Sequence, residues 1–142
     1  ILWEQAGYGA GYFLGMAEAL NRPKQDNSAN LNLAIRKVDV SSKGTTISFR
    51  YYTKKGFWFR IASDSYLTAD GKKYKLTQAD GIKLNENNYP QVKAYTVQSK
   101  FGDDIYYSDF TLTFEPFETK PASFDFKEGD GEDVFVIRHI GL

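Results

Sequence analysis

The chain has 142 residues, no Cys, one His, and 18 basic against 18 acidic side chains. That length fits one domain with a core of its own, and the missing thiols exclude disulfides, cysteine nucleophiles and thiolate metal sites. Balanced charge removes any bulk pull toward nucleic acid, so no nucleic-acid partner is expected, and no apolar run reaches the roughly 20 residues of a membrane-spanning helix.

Aromatic content is the unusual component, with 10 Tyr, 11 Phe and 2 Trp. Such side chains suit the half-buried surface of a pleated sheet better than a helix. Residues 1–22 differ from the rest, being rich in Gly, Ala and Tyr. "GMAEALNR" predicts a short helix within an otherwise irregular lead-in that packs on the domain edge. Ile1 in place of an initiator Met predicts a removed leader or a trimmed end. "PKQDNSAN", residues 23–30, is a polar turn cluster and the expected linker. The division is therefore 1–30 as extension and linker and 31–142 as the folded domain.

From Leu31 the period becomes two. "LNLAIRKVDV" alternates Leu31, Leu33 and Ile35, then slips near Lys37, which predicts a bulge. "TTISFRYYT" places Ile47, Phe49 and Tyr51 on one face, and "FWFRIA" after the "KKG" turn reads as a further strand. Asp70-Gly71 between "YLTA" and "KKYKL" is the strongest hairpin signal. "NENNYPQ" is a loop, "VKAYTVQS" a strand and "KFGDD" a turn. "IYYSDFTLTFEPF" is a long strand with Phe110, Leu112 and Phe114 facing one way. In "ASFDFKEG" Phe124 and Phe126 share a face opposite Asp125. "DVFVIRHI" is apolar on both faces, Phe135 and Ile137 on one and Val134, Val136 and Ile140 on the other, as a central or covered edge strand requires. Many short strands separated by turns predict an all-β, antiparallel, immunoglobulin-like β-sandwich with a short helical or irregular N-terminal extension.

"FTLTFEP" (Phe110 to Pro116), "SFDF" with Glu128-Gly129, and the closing "IRHIGL" resemble the Ig-like β-sandwich domains of Bacteroidetes cell-envelope proteins, often found ahead of thioredoxin-like domains. The resemblance covers about Leu31 to Leu142 and is supported upstream by "TTISFRY" and "RIASDSYLTADGKKYKLTQADGIKL". It implies the fold and a location in the periplasm or at the cell surface, with no activity attached.

Candidate chemistry is sparse. "KGFWFRIA" is similar to an RNA-binding strand signature, but Trp58 and Arg60 stand where that signature needs small and apolar residues. Gly7, Gly9 and Gly11 lack the next glycine of a dinucleotide fingerprint, where Leu14 stands. "DFKEGDGED" gathers Asp125, Glu128, Asp130, Glu132 and Asp133 as a calcium loop would, without EF-hand spacing, and a solvated tight turn is expected. One histidine cannot supply a histidine-pair metal site, and His139 is expected as a packed residue near the chain end. No cofactor, metal or catalytic residue is therefore predicted.

Surface aromatics remain. Neighbouring rings on a strand face opposite sides, so one of each pair in Tyr51-Tyr52, Phe57-Trp58 and Tyr106-Tyr107 can be exposed. Tyr52, Trp58, Tyr106 and Tyr107 are the expected binding residues, by stacking on sugars or anchoring a protein. The sequence thus predicts a non-catalytic interaction module of the bacterial envelope. It would bind an envelope protein through a sheet face or edge or, alternatively, a glycan through Trp58 and the tyrosines. A homodimer through an open sheet edge is a further expected partnership.

Overall fold

The computed structural model describes residues 24–26, 31–97 and 102–142. The short helix expected near "GMAEALNR" lies outside them. Eight strands form one antiparallel sheet: β1 (Leu33–Ser41), β2 (Gly44–Lys54), β3 (Tyr66–Ala69), β4 (Lys72–Asp80), β5 (Val92–Thr96), β6 (Asp104–Phe114), β7 (Ser123–Lys127) and β8 (Val136–Gly141). Their order is β1-β2-β6-β4-β3-β7-β8, with β5 also pairing with β6. No helix occurs among the described residues, and the expected all-β antiparallel class is the one present.

The sheet curls on itself. Phe49 on β2 and Phe126 on β7 are separated by three intervening strands along the sheet, yet their rings lie 5.0 Å apart. The corner is β4. Its first half pairs with β3 through Lys72 to Lys75 and its second with β6 through Leu76 to Asp80. A register shift between Leu76 and Gln78 separates the halves, as strands that pass from one layer to another commonly do by bulging. The two faces that pack together are thus halves of one continuous sheet. Between them lie Ile35, Ile47, Phe49, Leu67, Phe114 and Phe126, all buried, each contributing about 1.5–3 kcal/mol by leaving water.

Local chemistry accounts for several strand ends. Asp70 and Gly71 both take positive φ, 51° and 79°, as the two-residue hairpin turn demands. Gly44 opens β2 where a Cβ would meet the Phe114 carbonyl oxygen at 2.7 Å. The bulge expected near Lys37 is present between Ile35 and Lys37, although Leu31 is exposed rather than sharing the buried face.

Three expectations fail because a bulge or loop breaks the alternation on which they rest. His139 is exposed, not packed. Its φ is 53° and its N–H donates to Asp125 Oδ1 at 2.9 Å, inside a register shift between β7 and β8. The same shift turns Ile137 and Ile140, expected on opposite faces, both into the core. "FWFRIA" is not a regular strand. It makes a single antiparallel bridge, Phe59 to Asn88, while Phe59 and Ile61 are buried by the curl.

Lys24–Asp26, from the stretch expected as linker, run beside β8. Asp26 and Arg138 exchange backbone hydrogen bonds at 2.6 and 2.8 Å, and Gly141 N–H donates to the Lys24 carbonyl at 2.9 Å. From the middle of this strap the Gln25 carboxamide reaches β1: its Nε2 donates to the Ile35 carbonyl at 2.8 Å and its Oε1 accepts from the Ile35 N–H at 2.9 Å. A side-chain amide here imitates a peptide group. It ties the first strand to the last at the β1 bulge, where the ladder register breaks.

Candidate functional site

The surface that gathers most exposed aromatic area begins at the turn after β2. Phe57 N–H donates to the Lys54 carbonyl at 3.2 Å, and Gly56 between them has φ of 85°. A turn with positive φ at its third position calls for glycine, and it sends Phe57 and Trp58 out of the body before Phe59 returns to the core. Phe57 is 60%, Trp58 50%, Tyr89 48% and Val92 51% exposed. Antiparallel pairing of Phe59 with Asn88 brings Trp58 opposite Tyr89. Arg60 lies over the Trp58 ring, 5.4 Å from its centroid, and its Nε donates to Asn87 Oδ1 at 2.6 Å.

Three asparagines position this surface. The Asn88 side chain donates to the Lys83 and Glu86 carbonyls, both at 3.0 Å, and accepts from the Lys83 N–H at 3.0 Å. Asn85 takes positive φ and bonds Ser63 through both ends of its amide. Asn87 holds Arg60. "NENN" (residues 85–88), expected only as a loop, is thus the seam that fastens residues 82–89 to residues 59–63. Its cluster of carboxamides was the available signal, because Asn side chains bond backbone groups in turns.

Beside Phe57 is a cavity of about 260 Å³ lined chiefly by Tyr51, Tyr52, Thr53, Lys54 and Ile105. Lys54 at its margin pairs with Asp103 at 3.1 Å.

The four expected binding residues do not form one surface. Trp58 is exposed. Tyr52 is 3% exposed, so its ring is not available for surface stacking, and that expectation is corrected. It sits with Ile105 in a small second core on the outer face of β2, β5 and β6, packed by Ala94, Tyr95, Val97 and Tyr107. The physical reason is β5 and the residue after it, whose Tyr95 and Val97 cover that face. Tyr106 and Tyr107 are half-buried. Tyr107 carries the Arg50 guanidinium 4.0 Å above its ring, and Arg50 is held in turn by both oxygens of Asp109 at 2.6 and 2.8 Å. Tyr89, Phe57 and Val92 were not expected at the site. Tyr89 enters through the Phe59–Asn88 bridge, a contact that no local pattern encodes.

Three of the five carboxylates in the stretch 125–133 are taken up by the fold, while Glu132 and Asp133 are exposed. Asp125 accepts the His139 N–H, Asp130 Oδ1 accepts the Tyr66 hydroxyl at 2.7 Å, and Glu128 accepts the Ala62 and Phe135 N–H groups at 2.9 and 3.2 Å. Burial pushes the Glu128 carboxyl above its ordinary value, partly offset by those two bonds and assisted by nearby Asp64. No group of three His, Cys, Asp or Glu able to hold a metal occurs among the described residues.

No protein-family model, curated protein or solved structure matches the chain. The site is therefore read from its own geometry.

Proposed function

We propose that this domain is a non-catalytic, immunoglobulin-like binding module of the bacterial cell envelope that takes a protein partner on the surface formed by Phe57, Trp58, Tyr89 and Val92. The carrying observation is the exposure of Phe57, Trp58 and Tyr89, with Val92 three residues further along the chain, the three aromatics being brought together by one turn and one bridge. Isolated apolar residues on a surface need no explanation, but a cluster of aromatics does. Aromatic side chains contribute disproportionately to protein interfaces. The envelope setting rests on the resemblance of "FTLTFEP", "SFDF" and "IRHIGL". The non-catalytic reading rests on the acidic clusters, whose carboxylates hold backbone and tyrosine groups.

A glycan is the second reading, favoured by the polar Arg60 and Asn87 beside the Trp58 ring. Sugar-binding sites combine such a flat ring with hydrogen-bonding neighbours.

Trp58→Ala separates the readings. The side chain is exposed, so unfolding free energy should change by no more than about 0.5 kcal/mol, whereas partner binding should weaken roughly 30-fold if Trp58 is an interface anchor. The measurement is affinity for proteins retained from the source envelope, compared with a glycan array. Glycan binding alone, lost with Trp58, would replace the protein reading. Partner binding indifferent to Trp58 would move the site elsewhere.

A further inference from the structure

Among the described residues, the aromatic surface is bordered by more positive than negative charge. Asp103 is paired with Lys54 at 3.1 Å, and Asp104 is near Lys93 at 3.4 Å and bonded by the Thr96 hydroxyl at 2.6 Å. Asp109 is held by Arg50. Each carboxylate on that side is already matched. Lys55, in the exposed turn between Lys54 and Gly56, acts through space on Asp104, so Lys54, Lys55 and Lys93 share the two carboxylates of Asp103 and Asp104. The guanidinium of Arg60 is turned onto Trp58 and bonded to the neutral Asn87, with no ion pair among the described residues. Lys83 and Glu86 of the facing loop balance in charge. Among the described residues, Lys54, Lys55, Lys93 and Arg60 stand against Asp103 and Asp104, a local positive excess around the rings in a chain of zero formal net charge.

The adjoining cavity limits what can be taken up. Its volume of about 260 Å³ falls below the roughly 300–1,000 Å³ of clefts that enclose a drug-sized ligand. It suits a side chain rather than a whole metabolite or cofactor. Tyr51, Tyr52, Ile105 and Phe57 give it apolar walls, with the Thr53 and Lys54 groups at its lining.

Resting on the protein-binding reading above, we infer that the site recognises an extended peptide segment of its partner. One apolar side chain of that segment seats against Phe57 in the cavity, and Asp or Glu residues beside it meet Lys55 and Arg60. The anchor supplies affinity by desolvation at the Phe57–Trp58 surface. The flanking carboxylates supply orientation and association rate, the usual contribution of charge at the rim of an interface. An uncharged or basic flank would leave the local positive excess unmatched, and the site discriminates on that basis.

The test is selection of random peptides displayed on phage against the whole chain, followed by titration of the synthesised winners. The expected winners carry one aliphatic or aromatic anchor flanked by Asp or Glu. Their affinity should fall roughly 30-fold with Trp58→Ala and several-fold with Lys55→Glu or added salt. Lys55→Gln should lie between the parent and Lys55→Glu. All of these positions are exposed, and thermal melts confirm that each variant is folded. Winners without acidic residues, or binding indifferent to both Lys55→Glu and salt, would overturn the acidic-peptide inference while leaving a protein-binding module in place. Failure to enrich any peptide, together with Trp58-dependent binding on a glycan array, would overturn both.

Discussion

Between Ala62 and Phe135 the two oxygens of Glu128 each accept a backbone N–H, in a place where the side chain is buried. Burial is the largest influence on this carboxyl and raises its pKa above 4.5. A carboxyl raised by folding favours the folded state in its protonated form. Its contribution is fully present below the unfolded value and is lost as pH rises through the folded one. Asp130, held low by the Tyr66 hydroxyl, acts in the opposite sense and loses its contribution as pH falls. A single stability curve mixes the two, but comparison with Glu128→Gln isolates the first. The variant should be less stable than the parent, because even a protonated carboxyl can accept at both oxygens whereas a carboxamide sets an NH2 against one of the two N–H groups. Its deficit should narrow as pH rises from 4.5. Denaturant unfolding of both proteins at several pH values checks this, and a deficit that widens with pH would show that Glu128 is stabilised as a carboxylate. No spacing rule foretold this role. "EG" is legible as a turn, but the N–H groups it serves come from residues 62 and 135, one of them distant in sequence. Tyr52 and His139 were misread for a related reason: alternation assigns faces only while the ladder is unbroken and says nothing of what covers the outer face.

At the scale of elements, the strap formed by Lys24–Asp26 does for β8 and β1 what a full edge strand would do with more residues. Open edges invite pairing with other chains. Here the outer side of β8 is occupied by backbone and that of β1 is met by one carboxamide. Gln25→Ala removes two hydrogen bonds, each contributing about 0.5–1.5 kcal/mol, and should destabilise by about 1–2 kcal/mol. Hydrogen exchange gives the sharper reading. The Ile35, Arg138 and Gly141 amides should lose protection while Phe126, in the centre of its strand pair, keeps it. Uniform loss would mean that the strap is part of one cooperative unit with the sheet. Elements of this size were unequally legible. Asp70-Gly71 and the β1 bulge were readable because local chemistry alone fixes them. The aromatic run after "KKG" was read as a strand because buried Phe59 and Ile61 alternate with exposed Trp58 and Arg60, yet only one bridge forms. The strap was hidden in a polar stretch, since Lys24 and Asp26 act through backbone groups that every sequence possesses and Gln25 through a carboxamide whose partner is distant in sequence.

For the whole molecule, antiparallel all-β class followed from composition and period, but strand order did not. The pattern of Phe110, Leu112 and Phe114 requires a buried face and would serve equally beside any neighbour. That β2 and β4 flank the same end of β6, and that β4 then turns the sheet over on itself, depends on pairings between distant parts of the chain. Such pairings carry the loop-closure cost that makes all-β folds comparatively slow to form. The proposed binding surface has the same origin, because Trp58 and Tyr89 meet only once the 82–89 loop is sewn down. The strap has a mechanical consequence as well. Lys24 and Gly141 are hydrogen-bonded neighbours, so a pull applied through Lys24 and Leu142 separates two antiparallel segments from their shared end, one bond at a time. Single-molecule stretching should record a small early extension before the body yields, and one all-or-none rupture would contradict it. Under tension the molecule behaves as a zip fastener rather than a rivet, and its first response to force is to bare the outer edge of β8.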